Sequence, residues 1–256
     1  MNQAPIMRIP AGMQWTALSE RGIRAAFREG DVVLALAAPV VIYICFYIPL
    51  RKSMLAAGID FAQYLLPLTA VYAMFFTAMF AGDRAGREQT GGMATRLRSL
   101  PVHPWVPVAA RMSANLVRGC AALISALVVG IAFGFRFHDT ATALVFVLVA
   151  LGFGTAVVIG ADALGTATRN PELGATVLFV PQLLLVMTST GFVPAEGFPG
   201  WIQGWVRNQP VSQVTAALRG LADGRYPSEL WVAALWIGGL LIVGAVLAIR
   251  AEGRRA

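Results

Sequence analysis

The sequence predicts an all-α integral membrane protein, and three observations carry that expectation. Of its 256 residues, 57% are hydrophobic and 13% charged, against about 45–50% and about 25% in ordinary globular domains. Mean hydropathy is +0.68. The apolar residues are also gathered into runs rather than dispersed, and the runs approach the length that crosses about 30 Å of hydrocarbon at about 1.5 Å per residue.

Six such runs lie at 32–50, 61–81, 119–135, 141–161, 174–193 and 231–249. The third begins nearer 108 if Arg111, Asn115 and Arg118 enter the helix, which requires those side chains to reach the interface or face protein. One membrane domain over 1–256 is expected, with an N-terminal segment 1–31, a six-span bundle 32–249 and a tail 250–256. Residues 1–30 hold no continuous apolar core and no small-residue cleavage site, so the N-terminus is expected to stay attached.

The net charge of +7 would suggest nucleic acid in a soluble chain; here it reports topology, and no nucleic-acid partner is expected. Fourteen of the twenty cations fall on the N-terminal side of the membrane and six on the other, which places both termini in the cytoplasm. An even number of spans agrees with that placement.

Three segments between spans are too patterned to be plain connectors. Over 14–29, Trp15, Leu18, Ile23, Ala26 and Phe27 share one helical side and Arg21, Arg24 and Arg28 the other, which reads as an interfacial helix. In the loop 82–107, Met93, Leu97 and Leu100 repeat at helical spacing after Gly91–Gly92 and before Pro101, with Arg96 and Arg98 off the stripe. That pattern is either a docking element for a soluble subunit or a solvated loop whose arginines fix topology. The segment 194–229 is too apolar for a hydrated loop and too interrupted by Pro199, Gly200, Gly204 and Pro210 for one span, so two short helices in or dipping into the outer leaflet are expected.

Within the spans, Pro39, Pro67 and Pro181 predict bends. Ala126, Gly130 and Gly134 form a small-residue ladder for close packing, within the bundle or between subunits. Gln182 with Thr188, Ser189 and Thr190 makes the fifth run the most polar, a possible substrate path unless these groups serve their own helix. Asp162 and Glu172 flank Arg169, as a surface ion pair would. Cys45 and Cys120 are expected as buried reduced thiols, and His103 and His138 stand alone, so no metal site is readable.

The sequence contains no G-x-x-x-x-G-K-[ST] loop, and its one lysine, Lys52, follows no glycine-rich turn. No acidic residue stands in the middle of a run, and H-E-x-x-H and G-x-S-x-G are absent, so neither ion coupling through an intramembrane carboxylate nor membrane hydrolysis has a visible agent. By elimination the chain is a passive path or scaffold, or is driven by a separate subunit.

The loop REQTGGMATRLRSLPVHPW and the outer segment GFVPAEGFPGWIQGWVRNQPVSQVTAALRGL, with the six runs and the amphipathic N-terminus, resemble the ABC-2 type permeases, particularly the membrane subunits of daunorubicin-resistance-like exporters. In that family a Glu, a Gly-rich step and a short coupling helix ending near a Pro face the ATPase. Glu88, Gly91, Gly92, Met93, Arg96, Leu97, Arg98, Leu100 and Pro101 occupy those places, with Gly92 where Thr is more usual. The family's outer re-entrant motif is matched by Pro199, Gly200, Trp201, Asn208, Pro210 and Arg219, with Gln209 inserted where Asn and Pro are usually adjacent.

The resemblance implies the ABC-2 exporter fold and a bacterial inner-membrane half-transporter. Two such permeases, identical or homologous, would form the path for a hydrophobic drug or lipid, and separate subunits would bind ATP and Mg, so this chain carries no cofactor and no catalytic residue of its own. Membrane lipids are the remaining expected partner. A glycan exporter of the same family is the sibling possibility, to which five tyrosines lend little support.

Overall fold

The computed structural model describes residues 10–91, 102–103, 105–168, 171–191 and 195–253, and every regular element among them is helical. In chain order these are α1 (Ala11–Arg28), α2 (Asp31–Ala56), α3 (Phe61–Thr90), α4 (Val106–Ala132), α5 (Thr140–Ala167), α6 (Pro171–Met187), α7 (Gly200–Asn208), α8 (Pro210–Ala222) and α9 (Glu229–Gly253). Five of them, α2, α3, α4, α5 and α9, are long and apolar enough to cross a membrane. The counterpart of the fifth apolar run is α6, whose 17 described residues extend about 25 Å at the usual helical rise.

Local chemistry sets the ends. Asp60 caps α3 by accepting from the backbone N–H groups of Ala62 and Gln63 at 3.0 and 3.3 Å, and Asp139 caps α5 by accepting from Thr142 N at 2.9 Å. Gly30, at φ 83°, makes the turn between α1 and α2 in a conformation that favours glycine.

α3 is the central helix. It packs most extensively on α5 and also meets α2, α4, α6 and α8, while α9 lies outermost against α5 and α8. α3 and α5 approach closely at Gly165, where a Cβ would overlap the Gly82 carbonyl. Phe75 of α3 meets Phe153 of α5 edge-on at 5.4 Å. On α4, Ala126 and Gly130 are closed against the bundle, and a Cβ on Gly130 would strike Leu66; Gly134 lies beyond the helix at φ 109°. The ladder is thus an intramolecular contact at Gly130.

Large apolar side chains cover the outside, among them Val41 and Ile48 on α2, Leu144 and Leu148 on α5, and Leu235 and Ile242 on α9. Such a surface is costly in water and suits hydrocarbon. Cys45 belongs to it, contrary to the expectation of burial, because it lies on the outward side of α2; Cys120 is half-buried.

The polar interruptions in the sequence do not interrupt helices. α3 runs nine residues past the apolar run and α4 begins thirteen before it, because Arg111, Asn115 and Arg118 face protein. α8 is buried along almost its whole length, so the break at Gln209 and Pro210 is covered by neighbouring helices.

Candidate functional site

Two polar clusters, one at each end of the bundle, do what the apolar packing cannot: they fix the helices to one another at defined points. The first lies where α1 meets the bundle. Trp15 Nε1 donates to Ser113 Oγ at 3.2 Å, and Ser19 and Ala26 are buried, so α1 lies along α4, while Met13 and Phe27 remain exposed.

Beside it, Arg84 of α3 donates to Glu29 at 2.8 Å and to Asp31 at 2.6 Å, tying the α1–α2 junction to the central helix. Arg111 of α4 grips Asp162 of α5 with two bonds of 3.0 Å and stands 3.7 Å from Glu88 of α3. Planar two-point pairing of this kind fixes orientation as well as distance. Arg118 is wholly buried, donates to Asn115 Oδ1 at 2.6 Å and lies 3.7 Å from Asp31. Asp162 is therefore a buried partner of Arg111; Arg169, with which the sequence suggested a surface pair, lies outside the described residues.

Five helices meet in this network, and Glu88 sits in it three residues before Gly91, where α3 ends. Gly92, Met93, Arg96, Leu97, Arg98, Leu100 and Pro101 lie outside the described residues. A cavity of about 320 Å³ opens among α1, α3, α4 and α5 at the same place.

The second cluster is at the opposite end. The carbonyls that follow the last turn of α6 have no helical partners, and Arg219 of α8 supplies them. Its guanidinium donates to Thr190 O at 3.1 Å, to Gly191 O at 2.8 Å and to Tyr64 O at 3.3 Å, with its carbon 3.6 Å from the Tyr64 ring centre. Tyr64 Oη adds a bond to Thr190 O at 3.1 Å. A cation at a helix C-terminus also opposes the negative end of the helix dipole. Burial pulls the Arg219 pKa below its ordinary value, and contact with Tyr64 opposes that shift.

Gln209 donates to Thr188 O at 2.6 Å, and Ser212 Oγ accepts from Thr190 N at 3.0 Å. The inserted Gln209 thus precedes an α8 that still begins at Pro210, and its side chain joins the same clamp. Ser189 Oγ donates to Val186 O at 2.7 Å and accepts from Gly191 N at 3.2 Å; Thr188 Oγ1 donates to Leu184 O at 2.7 Å. Gln182 is buried.

Of the outer residues, Pro199 precedes α7, Gly200 opens it, and Trp201 is 84% exposed. The Asn208 side chain donates to Gly204 O at 2.9 Å, and its carbonyl accepts from Trp236 Nε1 at 3.1 Å. Sequence reasoning did not single out Tyr64, Arg84 or Asp31, whose partners lie far away in the chain. A charged residue inside an apolar run was the available signal for Arg111 and Arg118.

Neither cluster holds a nucleophile beside a base, and no group of three or more metal-ligating side chains occurs among the described residues. Five apolar helices long enough to cross a membrane, joined by polar contacts at both ends, define a multi-pass membrane protein. The chain belongs to the ABC-2 transporter family: the profile described as "ABC-2 family transporter protein" matches residues 47–250, and the family is one of transport permease subunits.

The chain is 35% identical over 224 residues to the doxorubicin resistance ABC transporter permease protein DrrB of Mycobacterium tuberculosis, covering 84% of this chain and 78% of the relative. It is 31% identical over 220 residues to the probable doxorubicin resistance permease DrrC of that organism, covering 84% and 79%. Against the daunorubicin resistance permease DrrB1 of Streptomyces coeruleorubidus it is 27% identical over 227 residues, covering 86% and 77%.

Proposed function

We propose that this chain is the permease subunit of an ATP-driven exporter of hydrophobic drugs or lipids in the bacterial inner membrane. It crosses the membrane six times, with α6 as the fifth span, α7 and α8 re-entrant from the outer face, and both termini cytoplasmic. A second permease, identical or homologous, completes the pathway. Separate subunits bind ATP and Mg and dock on the segment 93–100.

The observation that carries this reading is the network in which Glu88 lies 3.7 Å from Arg111, itself locked to Asp162. Displacement of the segment after Gly91 would thereby reach α4 and α5 together, and through Arg84 the α1–α2 junction. ATP-driven closure moves the permease only if the docking contacts differ between the nucleotide states, since equal contacts shift no equilibrium. In that scheme Met93, Leu97 and Leu100 seat in the ATPase, Arg96 and Arg98 engage its surface, Gly91, Gly92 and Pro101 bound the docking segment, and Pro199, Gly200, Trp201, Asn208, Pro210 and Arg219 shape the outer gate.

Inside-out vesicles carrying the chain and its ATPase test it, with a fluorescent anthracycline as probe. ATP-dependent uptake is expected, and R96E or R98E should reduce it at least tenfold while membrane insertion stays normal. Uptake that needs no ATP, or variants that transport normally, contradict the proposal.

A further inference from the structure

α4 and α5 both pack on α3 but only lightly on each other. Beyond the Arg111–Asp162 pair that ties them, a cleft of about 210 Å³ opens between them, floored by Met74 and Thr77 of α3. Leu116, half exposed, and the exposed Thr155 stand at its mouth, so it opens on the apolar outside of the bundle. None of its lining residues is charged, and three hydroxyls that reach it have given their protons to their own helices: Thr77 to Ala73 O at 3.0 Å, Ser113 to Ala109 O at 2.9 Å and Thr155 to Leu151 O at 2.8 Å. A lining of this kind excludes ions and receives hydrocarbon.

Two glycines on the walls differ in what keeps them small. At Gly154 a Cβ would strike Met74 Sδ, so helix packing demands the glycine. At Gly119 a Cβ would meet only Thr77 Cγ2, at an ordinary 3.9 Å. The space beside Gly119 is therefore open without any helix contact requiring it, and an empty space would forfeit dispersion contacts along both walls. Size narrows the occupant: a cavity of about 150 Å³ holds benzene, and drug-sized ligands take about 300–1,000 Å³. A single hydrocarbon chain lies between those limits.

Depth identifies where that hydrocarbon comes from. α1 has the two-sided pattern of a helix lying on a leaflet and is bonded to α4 from Trp15 to Ser113, which sets that level of α4 at the headgroup boundary. The cleft runs from there towards Gly119, into the bilayer core. Asn115, 5% exposed, lines it just below that level; its Oδ1 accepts from Arg118, and no hydrogen bond among the described residues engages its Nδ2. An amide donor at this depth suits the ester carbonyl of a lipid.

We infer that the cleft between α4 and α5 binds one acyl chain of a membrane lipid, with the ester carbonyl at Asn115 Nδ2 and the hydrocarbon along Leu116, Gly119 and Leu151. The site selects by chain length and is indifferent to the headgroup. Seated next to the Arg111–Asp162 pair, the acyl chain holds α4 and α5 at a fixed separation. The inference needs only that the protein sits in a membrane with α1 at its surface and does not depend on the transported compound.

The full-length protein, delipidated in mild detergent, is mixed with dioleoylphosphatidylcholine, dioleoylphosphatidylglycerol or dihexanoylphosphatidylcholine, and bound lipid is read by native mass spectrometry. The two dioleoyl lipids should be retained alike, and the short-chain lipid at least fivefold less. Helical side chains lean towards the N-terminus of their own helix, so the ring of G119F enters the cleft and should cut retention of both dioleoyl lipids at least fivefold. V128F, on the 62% exposed Val128 of the same helix and outside the cleft, should retain them as the wild type does. T155F plugs the mouth from α5 and decides the matter should G119F fail to fold. Equal retention of the short-chain lipid, a retention set by the phosphatidylglycerol headgroup, undiminished binding in the folded plugged variants, or an equal loss in V128F would each overturn the inference.

Discussion

Arg219 shows how much one side chain holds in this fold. It satisfies carbonyls at the end of α6 and stacks on Tyr64 of α3 while standing on α8, so three elements depend on it. R219M leaves those carbonyls without a charged donor and should cost roughly 3 kcal/mol, given about 1.5–3 for a hydrogen bond to a charged group and about 2 for a desolvated cation–π contact. R219K keeps the charge but not the planar fork, so an intermediate thermal midpoint in detergent is expected; R219M unfolding with wild-type stability would refute the clamp. The sequence marked Arg219 only by its place in an outer motif. Its partners lie 155 and 29 residues away, a distance in the chain over which periodicity carries no information.

At the scale of elements, hydropathy marked the apolar runs, while the helix ends follow a different rule that the reading of the third run from about residue 108 anticipated. An apolar run stops where polar side chains begin, whereas a helix stops where its backbone bonds stop. α3 therefore continues through Asp83, Arg87 and Glu88, and α4 starts before Arg111, because other helices or their own ion pairs accept those charges. The amphipathic N-terminus and the paired short helices after residue 194 were legible as patterns, since Pro210 and the alternating faces are local signals. Contacts between elements were not. One of these is Gly165 against the Gly82 carbonyl, and G165V must push α3 and α5 apart. Overpacking costs about 1–3 kcal/mol in a well-packed core, and here the obstacle is backbone, so the upper end is expected. A clear drop in folded yield and thermal midpoint, against near-normal behaviour of G160A, whose position is open, checks the claim.

For the whole molecule, the architecture of the described residues is a helical bundle with an apolar exterior and a polar lock at each end. The family membership fits a division of labour: a permease supplies the moving helices, and the drive comes from elsewhere. In the proposed scheme an external push enters at the network that joins α1, α2, α3, α4 and α5 around Glu88, through the segment beyond Gly91. The measurement that tests this most directly is purification of the tagged chain from its native membrane in mild detergent, with mass spectrometry and an ATPase assay on the eluate. The account predicts a co-eluting protein with a phosphate-binding loop and ATPase activity, both lost at least fivefold when Leu97→Asp or Leu100→Asp is introduced. A chain that elutes intact and alone, without ATPase activity across several detergents, would contradict it and leave a passive channel in its place.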